Sequence, residues 1–271
     1  MPNLIVPSKT ASDENGNVLA ITPESAGWTY VGFEVYRLEP GRKLRRETGD
    51  REVCLVLLSG RADVAASGFE AANIGRRMSV FEKIPPYSVY VPNDDWYEVT
   101  AVTELELAVC AAPGKGGHAA RLIAPEQVGA ETRGYGNIER QIHNILPETE
   151  PADSLLVVEV FTPGGHWSSY PPHKHDRDNL PDESYLEETY YHRVSSAGGG
   201  FAVQRVYTDD RSLDETMIVR DGDAVLVPKG YHPVAAPPGY DLYYLNVMAG
   251  PTRVWKFHND ADHEWLMPPK K

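Results

Sequence analysis

Two histidines separated by a single residue are the clearest chemical feature of the sequence. His173 and His175 lie in the stretch YPPHKHDRDNLPDESYLEETYYHRV, where acids and tyrosines follow them. On a strand, side chains at i and i+2 point to the same face, so the two imidazoles can converge on one point. This spacing favours a metal site, which needs at least one more ligand from a neighbouring strand.

A third ligand could come from the segment that follows the polar, proline-containing loop. Glu187 and Glu188 are both available there. If this segment is a strand, Glu187 shares a face with Arg193. Glu188 lies on the other face with Val194 and is the only fully charged residue on that face. We expect the second face to be the interior, and we therefore predict Glu188 as the ligand.

A fourth ligand is available from the stretch GDAVLVPKGYHPV, residues 222–234. The pattern of this stretch predicts a buried strand, a Pro-x-Gly turn and a return strand that starts at His232. Three histidines and one carboxylate leave a coordination position for water or substrate, which is what catalytic sites keep and structural sites close. For the remaining histidines we expect hydrogen-bonding or surface roles; these are His118, His143, His166, His192, His258 and His263.

The composition limits the classes of partner. The chain has 271 residues, a net charge of −13 and a pI near 5.1, which argues against binding to nucleic acid or anionic membranes. No apolar run approaches the length of a membrane span, and the first residues lack the order of a secretory signal. Cys54 and Cys110 are isolated in apolar stretches and are predicted to be buried thiols. Together these features predict a cytoplasmic protein.

The elements that must position the histidines are short strands. Glycine and proline separate apolar runs of four to eight residues, which is typical of a β-sandwich or barrel. Two segments, 118–122 and 137–146, are the best helix candidates. The halves of the chain have a similar order of parts, which favours two related β domains over one sandwich with a long insertion. The predicted strands are Val31–Leu38, Val53–Leu58, Ser88–Val91, Leu105–Cys110, Leu155–Phe161, Phe201–Tyr207, Ala224–Val227 and Leu242–Val247.

These motifs resemble those of the cupin superfamily, although the spacing before the histidines and before the glutamate is wider than usual and the second motif is one residue short. The matching residues are Gly165, His173, His175 and Glu188 in the first motif and Gly222, Pro228, Gly230 and His232 in the second. The stretches WSSYPPHKHDRDNLPDESYLEETYYHRV, VPKGYHPVAAPPGYDLYYLNVMAG, WKFHNDADHEW and GYGNIERQIHNIL resemble a narrower branch, the bicupin uronate isomerases, which include the 5-deoxy-glucuronate isomerases of myo-inositol catabolism.

The resemblance implies an all-β bicupin fold, with two jelly-roll barrels in tandem. Residues 1–115 would form an N-terminal cupin, residues 116–150 a connector that packs on both domains, and residues 151–271 the metal-binding cupin with a C-terminal tail. The first half has no histidine before His118, so we expect it to lack a metal. The ligands of one divalent metal per chain would be those predicted above, with Zn or Mn favoured over Fe.

The implied reaction is an aldose–ketose isomerisation that converts 5-deoxy-glucuronate to 5-dehydro-2-deoxy-gluconate. Tyr190 and His192 are the candidate side chains for moving the proton between adjacent carbons, with a metal-bound hydroxide or a hydride shift as alternatives. For the substrate carboxylate we predict cationic partners from the residues near the motif, Arg177, Lys229 and Lys174.

Two other functions remain open from the sequence. A cupin with the same ligands could be an Fe(II)-dependent dioxygenase, or it could bind a sugar without turnover. We rank the isomerase above both, and we expect a small anionic sugar-acid substrate, no nucleic-acid or membrane partner, and a homo-oligomer.

Overall fold

Strands dominate residues 3–196 and 198–267, which are the residues that this computed structural model describes. Within these ranges the α-helix Pro23–Ala26 is a single turn. Short 3₁₀ segments occupy Val80–Glu82, Pro125–Gln127, Gly136–Ile138 and Ala261–Leu266. The predicted all-β class is therefore confirmed. None of the described helices is long and apolar enough to cross a membrane.

The N-terminal half forms a barrel from a six-stranded and a four-stranded sheet. Its ten strands are β2 (Asn17–Ile21), β3 (Gly32–Leu38), β4 (Lys43–Glu47), β5 (Arg51–Ser59), β6 (Ala62–Ala66), β7 (Phe69–Ile74), β8 (Ser88–Val91), β9 (Trp96–Ala101), β10 (Leu105–Pro113) and β11 (Arg121–Ile123). The six-stranded sheet has the order β11-β8-β5-β10-β3-β2, and the four-stranded sheet has the order β4-β9-β6-β7. The first strand of the chain, β1 (Ile5–Val6), belongs to neither sheet.

The C-terminal half repeats this plan. Its own strands are β12 (Gly129–Arg133), β13 (Arg140–Leu146), β14 (Leu156–Thr162), β15 (Trp167–Ser168), β16 (His173–Lys174), β17 (Asp176–Asn179), β18 (Glu183–Tyr185), β19 (Glu187–Val194), β20 (Phe201–Tyr207), β21 (Asp214–Arg220), β22 (Ala224–Val227), β23 (Val234–Ala235), β24 (Leu242–Ala249) and β25 (His258–Asn259). The seven-stranded sheet, which β1 joins, has the order β1-β22-β19-β24-β14-β13-β12, and the four-stranded sheet has the order β15-β23-β20-β21. Two small pairs, β16-β25 and β17-β18, complete this half.

All eight predicted strands are present, but the two helix predictions are wrong. Segment 118–122 leads into β11, and segment 137–146 contains β13. Ile138, Ile142 and Ile145 have a spacing that also fits a helix. The segment instead pairs with β12 on one side and β14 on the other, so tertiary pairing overrides the local pattern.

The large sheets of the two halves pack face to face, so their central strands are buried on both faces. In β5, Leu55 belongs to the core inside the first barrel, whereas Cys54 and Val56 belong to the larger core shared by both halves. This double burial explains why the strand is a continuous apolar run. Cys54 and Cys110 are buried free thiols, as predicted.

In each half, a buried glutamate accepts hydrogen bonds from backbone amides of the other half. The carboxylate of Glu187, at the start of β19, accepts hydrogen bonds of 2.6–3.1 Å from three successive backbone amides, those of residues 29–31. Glu52, at the start of β5, accepts bonds of 2.6–2.7 Å from the amides of residues 153–155. The two contacts are related by the repeated plan of the molecule.

The halves also exchange strands. β1 pairs with β22 of the C-terminal half, whereas β11, which precedes that half in sequence, pairs with β8 of the N-terminal half. The segment predicted as a connector, 116–150, contributes β11 to one large sheet and β12 and β13 to the other. The boundaries at 115 and 150 stay a prediction.

Candidate metal centre

The predicted histidines come together from three positions in the C-terminal half. His173 lies in β16, His175 follows that strand directly, and His232 precedes β23. Their ring centroids are 4.7–6.2 Å apart, and one ring nitrogen of each lies within 4.8 Å of the others. All three side chains are buried. This spacing allows three imidazoles to bind a single ion.

Glu188 provides a carboxylate at the same point. Its Oε2 lies 3.1 Å from Nε2 of His175 and 3.2 Å from Nε2 of His232. The register of β19 explains this proximity, because Glu188 is paired with Val227, the last residue of β22 before the turn that carries His232. Strand alternation turns Glu187 the other way, toward the N-terminal half.

The turn before His232 requires glycine. Gly230 has φ +89°, and a Cβ at this position would lie 2.4 Å from the backbone oxygen of Tyr207. Its amide donates to Asp176 Oδ2 at 2.9 Å, and its carbonyl accepts from Nδ1 of His232 at 2.9 Å. Asp176, which directly follows His175, is thus hydrogen-bonded to the turn that orients His232.

Backbone carbonyls fix the orientation of two imidazoles. Nδ1 of His175 donates to the carbonyl of Leu186 at 3.0 Å, in the same way that Nδ1 of His232 donates to Gly230. Metal-binding histidines are commonly held by such a bond from the second nitrogen. Nε2 of His232 is buried and has no hydrogen-bond partner among the described residues, although Oε2 of Glu188 lies 3.2 Å away. The residues therefore fit a bound cation.

Burial and mutual repulsion keep two of these rings neutral. Burial lowers the pKa of His173 well below its usual range, and the neighbouring His232 and His175 lower it further. Burial lowers the pKa of His232 to about 4. For His175, burial acts in the same direction, but the hydrogen bond and negative charge of Glu188 outweigh it and the pKa is raised. Neutral imidazole is the form that binds a metal.

A cavity of about 840 Å³ opens next to this cluster. His173, Glu188 and Tyr190 form part of its wall, and most of the remaining wall is apolar. The size is in the range of small-molecule sites. The apolar side chains that line it are Ile138, Ile142, Leu146, Leu156, Val157, Val158, Val160, Met248, Trp255, Phe257, Leu266 and Met267.

The C-terminal segment closes one side of the cavity. β25 pairs with β16, and the ring of Phe257 lies 4.7 Å from that of His173. The segment continues into the 3₁₀ turn Ala261–Leu266, whose N-cap Asp260 accepts a 2.7 Å hydrogen bond from the hydroxyl of Tyr207. The tail thus forms part of the site.

The two predicted catalytic side chains differ in their access to the cavity. Tyr190 lines it and shares a 2.9 Å hydrogen bond with Ser169. Burial, together with the charge of Glu188, raises the pKa of Tyr190 well above its usual range. His192 stacks on Tyr190, does not line the cavity, and its Nε2 is 2.9 Å from Oε1 of Gln204.

The three predicted substrate-binding cations do not line the cavity. Lys174 is buried on the opposite side of its strand, where Nζ binds Asp176 at 2.7 Å and Glu183 at 3.1 Å. Arg177 is exposed and pairs with Asp209 at 2.9 Å, and Lys229 is also exposed. Because neighbouring side chains on a strand point to opposite faces, Lys174 points away from His173 and His175.

Two arginines that the sequence analysis missed do line the cavity. Arg133 and Arg140 lie in β12 and β13 and are half-buried there. The available signal was alternation: Arg140, Ile142 and Asn144 line the cavity, whereas His143 faces away and binds Glu159. Interpreting this segment as a helix concealed that alternation.

Among the residues that the structure describes, the first barrel has no such group of potential metal ligands. Val53 is paired with Val91, which precedes Pro92, just as Glu188 is paired with Val227 before Pro228. Trp96 then occupies the position that corresponds to His232. The interior around Val53 is filled by apolar side chains.

Comparisons with known proteins agree on one family. The KduI/IolB family model matches residues 4–266. The 5-deoxy-glucuronate isomerase of Geobacillus kaustophilus is 68% identical over 270 residues, which cover 100% of this chain and 97% of that protein.

Solved structures support the same assignment and the fold. An IolB-like protein from Salmonella typhimurium has a TM-score of 0.95 at 54% identity, and the match covers 98% of this chain and 99% of that one. A Bacillus subtilis oxalate decarboxylase described with Mn(II) centres has a TM-score of 0.62 at 12% identity, covering 96% of this chain and 80% of that one. At this identity the second likeness concerns the fold alone. The predicted bicupin fold is confirmed.

Proposed function

The chain belongs to the KduI/IolB family, and we propose that it is a metal-dependent isomerase that converts 5-deoxy-glucuronate to 5-dehydro-2-deoxy-gluconate. The observation that carries the proposal is the convergence of three buried imidazoles and the Glu188 carboxylate beside the cavity. The identity to curated isomerases over the whole chain supports the choice of reaction.

We propose His173, His175, Glu188 and His232 as the ligands of one divalent cation. The donor set of nitrogen and oxygen suits Zn or Mn, which we favour over Fe. When bound, such a cation supplies Lewis acidity that polarises a carbonyl and acidifies the adjacent C–H.

Tyr190 is the side chain best placed to assist the proton transfer. Because its pKa is raised by burial, its hydroxyl keeps its proton at neutral pH and acts as a hydrogen-bond donor. We propose that it donates a hydrogen bond to the substrate oxygen on which negative charge develops, while the hydroxyl of Ser169, 2.9 Å away, donates to the oxygen of Tyr190. His192, stacked on the same ring, would position Tyr190.

The apolar wall and the C-terminal segment favour this chemistry by excluding water. Removing water strengthens the electrostatic interactions within the cavity and protects a reactive enediolate from side reactions. The small anionic sugar acid is the proposed partner, and a homo-oligomer remains a prediction.

The test is turnover of 5-deoxy-glucuronate by the purified protein before and after chelation, with Zn, Mn and Fe restored separately and oxygen uptake recorded. We expect activity that chelation abolishes, that a metal restores, and that consumes no oxygen. Oxygen consumption coupled to turnover would indicate the dioxygenase instead. Binding of the sugar acid without turnover under every metal would indicate a sugar-binding protein.

A further inference from the structure

Two arginines face each other across the hairpin that borders the cavity. In the pairing of β12 with β13, Arg133 is directly opposite Arg140. Like charges at directly opposed positions of an antiparallel pair destabilise it. An anion bound between or beside the two guanidinium groups would offset that repulsion.

Arg140 has hydrogen bonds but no counter-ion in the part of the chain that the structure describes. Its Nη1 donates to the carbonyl of Ile138 at 3.0 Å and to that of Tyr170 at 3.2 Å. Among the described residues, no carboxylate lies within ion-pair distance of it, although the chain carries a net charge of −13. Arg133, in contrast, binds Glu131 at 2.7 Å and lies 5.5 Å from the ring of Trp255.

The surroundings make an unpaired charge at Arg140 costly. The side chain is half-buried, and its burial lowers the pKa of the guanidinium. Partly desolvated cations are stabilised by a paired anion. Along the cavity face of β13, Arg140 is followed by Ile142, Asn144 and Leu146, so it is the one cationic group that this strand contributes to the wall.

Arg140 is also tied to the segment that carries the metal-ligand candidates. Its partner Tyr170 precedes His173 by three residues, and both line the same cavity. A sugar acid has a carboxylate at one end of the chain and a carbonyl at the other. The guanidinium of Arg140 on one part of the wall and the metal-ligand candidates His173 and Glu188 on another match those two ends.

We propose that Arg140, assisted by Arg133, is the subsite that binds the carboxylate of the substrate. The inference rests on the proposed function, because it assigns the anion to a sugar acid. Arg140 provides the planar fork that can bind a carboxylate through two hydrogen bonds. This subsite takes the role that the sequence analysis gave to Arg177, Lys229 and Lys174.

The test compares an acid with its neutral amide. The probes are the aldonic acid made by reducing the aldehyde of 5-deoxy-glucuronate, which cannot isomerise, and the primary amide of that acid. Titration calorimetry gives both Kd values for the wild-type protein and for R140Q, R140K and R133Q. A dissociation constant does not depend on the fraction of folded protein, so the acid-to-amide ratio within each variant is independent of any loss in yield.

We expect the wild-type protein to bind the acid about 10- to 100-fold more tightly than the amide, the range for a hydrogen-bonded ion pair. R140Q should lose most of this preference, and R133Q and R140K a smaller part. R76Q, at an exposed arginine on the N-terminal half, is the matched control and should keep the wild-type ratio.

A wild-type ratio near one would overturn the subsite, as would an unchanged ratio in R140Q. Equal weakening of acid and amide in R140Q would show a structural role and would also overturn it. Turnover of 5-deoxy-glucuronate is measured separately. Acid preference that depends on Arg140 in a protein without turnover would support the subsite and reject the isomerase.

Discussion

Among the proposed ligands, His232 has the side chain whose position and orientation are most fully fixed by its neighbours. A glycine turn aims it, the Gly230 carbonyl holds its Nδ1, and its Nε2 remains without a partner among the described residues. The neighbouring Glu188 is positioned by strand pairing. A buried nitrogen without a hydrogen-bond partner, next to a carboxylate, destabilises the folded protein unless a cation binds both groups.

His232→Ala should lower the affinity for Zn or Mn by more than about 100-fold, because loss of an outer partner of a ligand alone costs about 10- to 100-fold. Competition with a chelator and metal analysis of the purified protein provide the measurement. His258→Ala, at an exposed position outside the cluster, is the control. Retention of wild-type affinity in His232→Ala would exclude it as a ligand.

Tyr190→Phe should reduce kcat by about 100-fold or more, the usual effect of removing one donor to a developing negative charge. Its bound metal and KM should change little, because the hydroxyl contacts Ser169 rather than the metal-ligand candidates. Steady-state kinetics and metal content are measured together. An unchanged kcat would remove Tyr190 from the mechanism.

His192 should make stability depend on pH. Its burial lowers the pKa to about 4 in the folded protein, against about 6.5 in the unfolded chain. The unfolded state therefore binds the proton first, and the contribution to stability is complete above about pH 6.5 and lost as the pH falls through 4. Between pH 7 and 4.5 the loss is about 2–3 kcal/mol.

His192→Gln should remove this contribution, so the free energy of unfolding should fall less steeply between pH 7 and 4.5 than in the wild-type protein. Urea unfolding at several pH values gives the comparison at a fixed metal concentration. The proposed ligands titrate in both proteins and cancel in the difference. Parallel pH profiles would show that the pKa of His192 is not depressed.

At the level of elements, the buried glutamates at the starts of β5 and β19 fix the segments that enter β14 and β3. Each carboxylate binds three backbone amides of the other half. Hydrogen bonds to a charged acceptor are stronger than neutral ones, and buried amides without partners are costly. These two contacts therefore couple the positions of the large sheets.

Glu187→Gln should lower the free energy of unfolding by about 3 kcal/mol, because an amide NH₂ then faces backbone donors. Glu52→Gln should have at least as large an effect, since its carboxylate accepts a 2.7 Å hydrogen bond from the hydroxyl of Tyr90 in addition to the three amide bonds. Equilibrium unfolding in urea is the measurement, with the exposed Glu47→Gln as the control. If both buried variants behaved like Glu47→Gln, the contacts would contribute little to stability.

At the level of the whole molecule, the exchange of β1 and β11 joins residues far apart in sequence. The carbonyl of Leu4 accepts a 2.8 Å hydrogen bond from the amide of Leu226, and the side chain of Leu4 is buried in the shared core. Strand β22 leads into the turn that carries His232. The N-terminal segment thus supports the proposed metal centre from a distance.

Leu4→Ala should lower the free energy of unfolding by about 2–4 kcal/mol through the cavity it creates. It should also speed hydrogen exchange at the amide of Leu226, whereas the exposed Asn3→Ala should not. Exchange measured by NMR or mass spectrometry over β22 is the readout. Unchanged exchange there would show that β1 is dispensable for the C-terminal sheet.

The sequence by itself indicated eight of the strands and the proposed ligands, because these depend on local periodicity. Side chains at i and i+2 share a face, which brought forward His173 and His175 and separated Glu188 from Glu187. Apolar runs bounded by glycine and proline indicated the strands correctly. The expectation that the first barrel lacks a metal rests on composition, since that half has no histidine before His118.

Only the tertiary structure decided which charges face the cavity. The cations nearest the motif in sequence point elsewhere: Lys174 binds Asp176 and Glu183 on the other side of its strand. Arg140 reaches the cavity from a segment predicted as helical, because pairing with β12 and β14 makes it a strand. Local periodicity limits the faces available to a side chain, but which face meets the cavity depends on contacts between residues far apart in the chain.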